Sequence, residues 1–101
     1  MGRFVKVARR DEIADGTGKT VEVGGRCVAL FNSGGTFHAI DNACGHRGGP
    51  LGEGEVYGTR VICPWHGWEY DFTTGCNVDD PSLRLRRYAV KLDGDDVLLE
   101  I

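Results

Sequence analysis

Apolar and polar residues alternate in short runs at both ends of the chain, and glycines punctuate the runs. FVKVA (4–8) alternates. TVEV (20–23) and RCVALFN (26–32) are joined by Gly24-Gly25, a two-residue link suited to a primed hairpin turn. TFHAID (36–41) follows across Ser33-Gly34-Gly35. Near the end, YAVKL (88–92) alternates strictly, Asp93-Gly94 turns the chain, and DVLLEI (96–101) closes it. A helical pattern is confined to RRDEIAD (9–15), long enough for a turn or two. These periods predict an all-β protein.

The middle differs. From Asn42 to Arg60 the chain carries Gly45, Gly48, Gly49, Gly52, Gly54 and Gly58, and such a stretch is expected to pack little core of its own. VICP (61–64) and WEYDFTTG (68–75) then read as a further hairpin. The expected architecture is one domain: an antiparallel, β-sandwich-like base built from residues 1–41 and 81–101, with a smaller subdomain, residues 42–80, inserted into it.

Composition narrows the function. With 101 residues, 41% hydrophobic and 27% charged, the chain is long enough for one modest core and is not of disordered type. Its longest apolar run, CVALF (27–31), is far short of a membrane span, and MGRFVKVARRDEI lacks the apolar centre of a signal peptide. Lys6 stands where a myristoylation signal wants Ser or Thr. The expectation is a soluble, cytoplasmic protein. In that compartment four cysteines point to metal binding before disulfides. Five acids and two bases lie between Asp41 and Phe72, so the whole net charge of −3 falls in the middle segment. A basic nucleic-acid footprint is absent from the sequence.

The chemistry concentrates in the same segment. CGHRGGPLGEG (44–54) supplies Cys44-x-His46, and CPWHGWEY (63–70) supplies Cys63-x-x-His66, with sixteen residues between His46 and Cys63. Two loops thus offer one thiolate and one imidazole each. A zinc site of two cysteines and two histidines is the bland alternative, but zinc fingers group both cysteines before both histidines, whereas here they interleave. Cys27, in an apolar run, and Cys76, in a turn, are expected to be buried or semi-buried thiols without a role. His38 reads as an ordinary strand residue. Arg84, Arg86 and Arg87 read as a solvated face, while Arg47 beside His46 is a candidate for tuning or docking.

C-x-H-R-G-G-x-L and C-P-W-H-G-W resemble the two cluster loops of bacterial Rieske ferredoxins and of the Rieske domains of aromatic-ring oxygenases. TFHAID-N, FTTG and Y-x-V-K-L-D-G-D-x-V are also similar to that family, so the resemblance covers nearly the full chain. It implies the Rieske fold and one 2Fe–2S cluster, with Cys44 and Cys63 on the inner iron and His46 and His66 on the outer one. Gly45, Gly48, Gly49 and Gly67 would let backbone N–H groups reach the sulfurs. Two thiolates on two ferric ions and two sulfides leave a neutral oxidised site, which accepts an electron more readily than a four-thiolate dianion. Hence Rieske centres lie at roughly −150 to +300 mV, against about −400 mV for plant-type clusters.

Respiratory Rieske proteins add a loop disulfide, a serine and a tyrosine that raise the potential. The matching positions here are Gly49 and Trp65, Trp68, and Tyr70. With only the tyrosine kept, and with Trp65 and Trp68 expected as apolar cover, the resemblance implies the low end of the range, partly offset by the Tyr70 hydroxyl.

The function implied is that of a monomeric ferredoxin. It would carry one electron at a time from a flavin-dependent NAD(P)H reductase to a terminal oxygenase of the aromatic-ring dioxygenase type. Catalysis is not expected: an oxygenase needs a second iron held by two histidines and a carboxylate, and only His38 is left over. The chain is also expected to end with the base, without a catalytic domain. Two further readings stay open, a small subunit similar to that of assimilatory nitrite reductase and a zinc-stabilised interaction module.

Overall fold

A computed structural model of the chain describes residues 2–42, 50–65 and 67–101. Among these residues the strands are β1 (Phe4–Arg9), β2 (Thr17–Val23), β3 (Arg26–Ser33), β4 (Thr36–Asp41), β5 (Glu55–Tyr57), β6 (Arg60–Ile62), β7 (Glu69–Asp71), β8 (Cys76–Asn77), β9 (Arg87–Tyr88), β10 (Val90–Asp93) and β11 (Asp96–Glu100). Two three-residue 3₁₀ turns lie at Arg10–Glu12 and Leu51–Glu53. The strands pair antiparallel in three sheets, ordered β1-β11-β10, β2-β3-β4-β9 and β5-β6-β7-β8. The all-β expectation holds.

The β2-β3-β4-β9 sheet is the common wall, and the alternation of its strands shows why. In β3, Val28 and Leu30 point into one core, with Val21, Val23, Phe37, Ala39, Val97 and Leu99. Ala29 and Phe31 point into a second, with Ile40, Leu51, Val61, Cys63, Tyr70 and Phe72. Both faces of β3 are therefore buried, which accounts for the run CVALF. An apolar run without alternation marks a strand covered on both sides. The first core lies against the sheet made from the chain ends, the second against the β5-β6-β7-β8 sheet. In the second, Phe31 and Phe72 stack with centroids 4.5 Å apart.

The glycine turns carry the register. Gly24 and Gly25 have φ of 58° and 78°, the left-handed pair that a type I′ turn needs, and Val23 pairs with Arg26 across them. Ser33 belongs to its strand and pairs with Thr36, so the next turn is Gly34-Gly35 alone. RRDEIAD yields a single 3₁₀ turn. Ile13 then drops into the first core, held there by the Asn32 amide, which donates to its carbonyl at 2.8 Å.

Two expectations need correction. YAVKL is not one strand: it breaks at Ala89, β9 pairing with β4 and β10 with β11. The glycine-rich middle does contribute core, since Leu51 is fully buried and Val56 packs beside it. Glycines lower the content of apolar side chains but do not decide where the remaining ones go.

Candidate metal centre

Cys63 follows directly on β6, at the mouth of the β6–β7 hairpin. Its N–H donates to the carbonyl of Trp68 at 2.7 Å, one step beyond the Ile62–Glu69 pair. The N–H of Gly67 returns to the Cys63 carbonyl at 3.2 Å, and Gly67 takes φ of 73° to make that reversal. This N–H is thus used in closing the loop. The thiol side chain of Cys63 is 2% exposed among Leu51, Val61, Tyr70 and Phe72.

The other loop leaves the middle sheet at Asn42 and re-enters described structure at Pro50. Leu51, just beyond it, packs in the same core as Cys63, so the stems of both loops share one apolar base. Cys44, His46 and His66 lie outside the described residues, as do Gly45, Arg47, Gly48 and Gly49. Among the described residues, no three His, Cys, Asp or Glu side chains gather as a metal site.

The surroundings of Cys63 fit a metal–sulfur group. A thiolate buried among aliphatic and aromatic side chains is costly unless a bound cation compensates its charge. Two sulfur and two nitrogen donors match the ligand set of a Rieske cluster. Tyr70, fully buried on β7 opposite Val61, lines the same core.

The two tryptophans divide. Trp68 is partly buried against the second core, as expected of apolar cover. Trp65 is not cover: at 50% exposure it stands out near the tip of the loop. Pro64 and Trp65 lie beyond the Cys63–Trp68 hydrogen bond that closes the hairpin.

Residues outside the site have structural explanations. The ring of His38 lies against Phe72, centroids 5.4 Å apart. Partial burial holds its pKa below the usual value, Arg87 adds to that, and Asp71 opposes it. Cys76 is half-buried on β8. Cys27 is exposed, against expectation. It shares a face of β3 with Ala29 and Phe31 but sits at the turn end, past the layer that covers them. Both are free thiols. Arg84, Arg86 and Arg87 are exposed as expected, and Arg86 lies over the Tyr88 ring at 5.0 Å.

The acidic segment resolves into separate roles. Asp41 accepts from the Tyr88 hydroxyl at 2.6 Å, and Asp71 accepts from the N–H and hydroxyl of Thr73. Glu69 pairs with Arg60 at 3.4 Å. Glu53 and Glu55 remain as exposed carboxylates, the latter accepting from the Tyr57 hydroxyl.

The described residues form an all-β domain in which a buried cysteine, Cys63, sits in the core that also takes the exit of the first loop. The chain belongs to the Rieske [2Fe-2S] domain family, which matches residues 3–89, and its cofactor is accordingly one Rieske-type 2Fe–2S cluster. Apoptosis-inducing factor 3 of Mus musculus is 36% identical over 89 residues, covering 87% of this chain. The chain spans only 15% of the length of that relative. The ferredoxin component of the naphthalene 1,2-dioxygenase/salicylate 5-hydroxylase systems of Ralstonia sp is 29% identical, covering 97% of this chain and 95% of its own. Among solved structures, the ferredoxin of carbazole 1,9a-dioxygenase from Nocardioides aromaticivorans IC177 superposes with a TM-score of 0.87. It is 29% identical, and 95% of each chain is covered. Among the described residues no helix is long and apolar enough to cross a membrane.

The structure also points to residues that sequence reading passed over. Asn42 and Leu51 frame the first loop; both fall inside motifs quoted for the resemblance, TFHAID-N and C-x-H-R-G-G-x-L, but neither was given a role. Asn42 could have been found from phase: one residue past the end of β4, it continues the side of His38 and Ile40, so a polar group stands at an inward position.

Proposed function

We propose that the protein is a Rieske ferredoxin, a one-electron carrier and not itself a catalyst. It takes electrons from a flavin-dependent NAD(P)H reductase and hands them to a terminal oxygenase of the aromatic-ring type. The observation that carries this reading is the near end-to-end likeness to a ferredoxin component of a dioxygenase system. Cys44, His46, Cys63 and His66 are the proposed ligands, and residues 42–80 the proposed cluster-binding unit on a base of residues 1–41 and 81–101. The cluster, when bound, supplies reversible one-electron chemistry.

The chain's own residues set the conditions for it. Cys63 offers a thiolate from an apolar, water-poor base. Trp65 presents an exposed indole beside His66 in sequence, an apolar contact for a partner. Glu53 and Glu55 leave negative charge free for partners with basic surfaces, an attraction that salt weakens. The cytoplasm is the proposed location, and the working form is a monomer. The midpoint potential is placed in the lower part of the Rieske range; a value clearly above zero would contradict that assignment.

Rapid-mixing kinetics test the carrier role. Reduced protein should be reoxidised by a Rieske oxygenase, and oxidised protein reduced by a flavin reductase with NADH or NADPH. Permanent co-purification with a large reductase, without exchange of electrons with free partners, would replace the carrier by a fixed subunit.

A further inference from the structure

Both stems of the first ligand loop converge on one residue. Asn42 is 8% exposed and uses its backbone and its side chain at once. Its N–H donates to the Cys27 carbonyl at 3.1 Å, which anchors it to β3. Its carbonyl accepts from the Leu51 N–H at 2.9 Å, closing the loop at its base. Its side-chain Oδ1 accepts twice more, from the Gly52 N–H at 2.8 Å and from the Thr20 hydroxyl at 3.0 Å. The loop entrance, the loop exit and β2 therefore meet at a single carboxamide oxygen.

The packing around this point leaves no slack. A Cβ on Gly52 would lie 2.4 Å from Thr20 Oγ1 and 2.6 Å from Thr20 N, so the exit is pressed directly onto β2. The next residue back, Leu51, is buried in the core that holds Cys63. Cys44 is two residues beyond Asn42. Whatever path residues 43–49 take, their ends are fixed relative to Cys63 by these bonds.

We propose that Asn42 is the positioning residue of the cluster: its buried carboxamide oxygen clamps the stems of the first ligand loop and so sets Cys44 and His46 against Cys63. The inference rests on the ligand assignment above. The choice of amide has an electrostatic reason. An aspartate could accept the same two bonds, but its charge would oppose electron uptake nearby, whereas the amide is neutral.

The test uses cluster-loaded full-length protein with three variants. Readouts are the rate of visible bleaching by a ferrous chelator, the electron paramagnetic resonance line shape and the midpoint potential. Asn42→Leu, which removes the oxygen at similar size, should bleach roughly tenfold faster, with an altered line shape. Asn42→Asp, which restores an acceptor, should bring bleaching back to within about twofold of wild type. It should also lower the midpoint at mildly alkaline pH. Thr20→Val, which deletes one donor, should accelerate bleaching by a smaller factor, about two- to threefold.

Wild-type rates, line shape and midpoint in Asn42→Leu would overturn the proposal, as would Asn42→Asp bleaching as fast as Asn42→Leu. If Asn42→Leu does not fold, Thr20→Val decides, and an unchanged rate there overturns it. Wild-type protein that holds no cluster would instead overturn the function reading beneath it.

Discussion

The two faces of the middle sheet are closed by different means. One face meets strands from the chain ends, paired over four to five residues each, and its core is wholly aliphatic and aromatic. The other meets strands paired over only two or three residues and includes the thiol of Cys63. Short pairings alone would be marginal; here Phe31, Leu51, Phe72 and Tyr70 supply the apolar burial that holds them. The first face is closed by aliphatic and aromatic side chains alone, whereas the second gives part of its core to Cys63, one of the proposed ligands.

The sharpest break between the faces is at sulfur. Cys63→Ser should abolish visible absorbance in purified protein, whereas Cys27→Ser and Cys76→Ser should keep it at wild-type intensity. Absorbance per chain and bound iron check this, and a coloured Cys63→Ser protein with full iron would contradict the ligand assignment.

A matched pair of truncations comes next. Leu30→Ala in the first core and Leu51→Ala in the second should each cost about 2–5 kcal/mol in denaturant unfolding. Only Leu51→Ala should also hasten cluster loss beyond what its stability explains. Equal bleaching in the two variants would mean that the cores are not functionally distinct.

How much of this contrast can be read from sequence follows the same division. The first face is written in alternation in TVEV, where Val21 and Val23 are buried, and in DVLLEI, where Val97 and Leu99 are. In FVKVA a shift of register between Lys6 and Ala8 puts Val7 and Ala8 both against the core, which the pattern does not show. YAVKL alternates straight through Ala89, so the switch of sheet there leaves no mark. On the second face the ligand spacing is legible, because Cys-x-His and Cys-x-x-His are local. The burial of Leu51 and the clamp at Asn42 are not local. They depend on Thr20, Gly52 and Cys63, which the chain brings together only on folding.

Smaller effects sharpen the comparison further. Replacing Glu53 and Glu55 by glutamine should flatten the salt dependence of electron transfer severalfold. Unfolding free energy should stay within about 0.5 kcal/mol, as for exposed positions generally. An unchanged salt slope would move the docking charge elsewhere.

The smallest is a pH effect at the seam between sheets. Burial of His38 favours its neutral form, so its folded pKa lies below the ordinary histidine value of about 6.5. Its contribution to stability is therefore complete above that value and declines as pH falls through it toward the folded pKa. His38→Gln should remove this part of the decline in urea unfolding across that window. An unchanged pH profile would assign the decline to other groups.

The central claim is that two sulfur–nitrogen loops hold one di-iron cluster. Iron, zinc and acid-labile sulfide should be measured on protein purified and reconstituted without oxygen, with paramagnetic resonance before and after one-electron reduction. The account predicts two iron and two sulfide per chain, as a 2Fe–2S centre requires, and a signal that appears only on reduction. Colourless protein with stoichiometric zinc, or with neither iron nor sulfide, would contradict it.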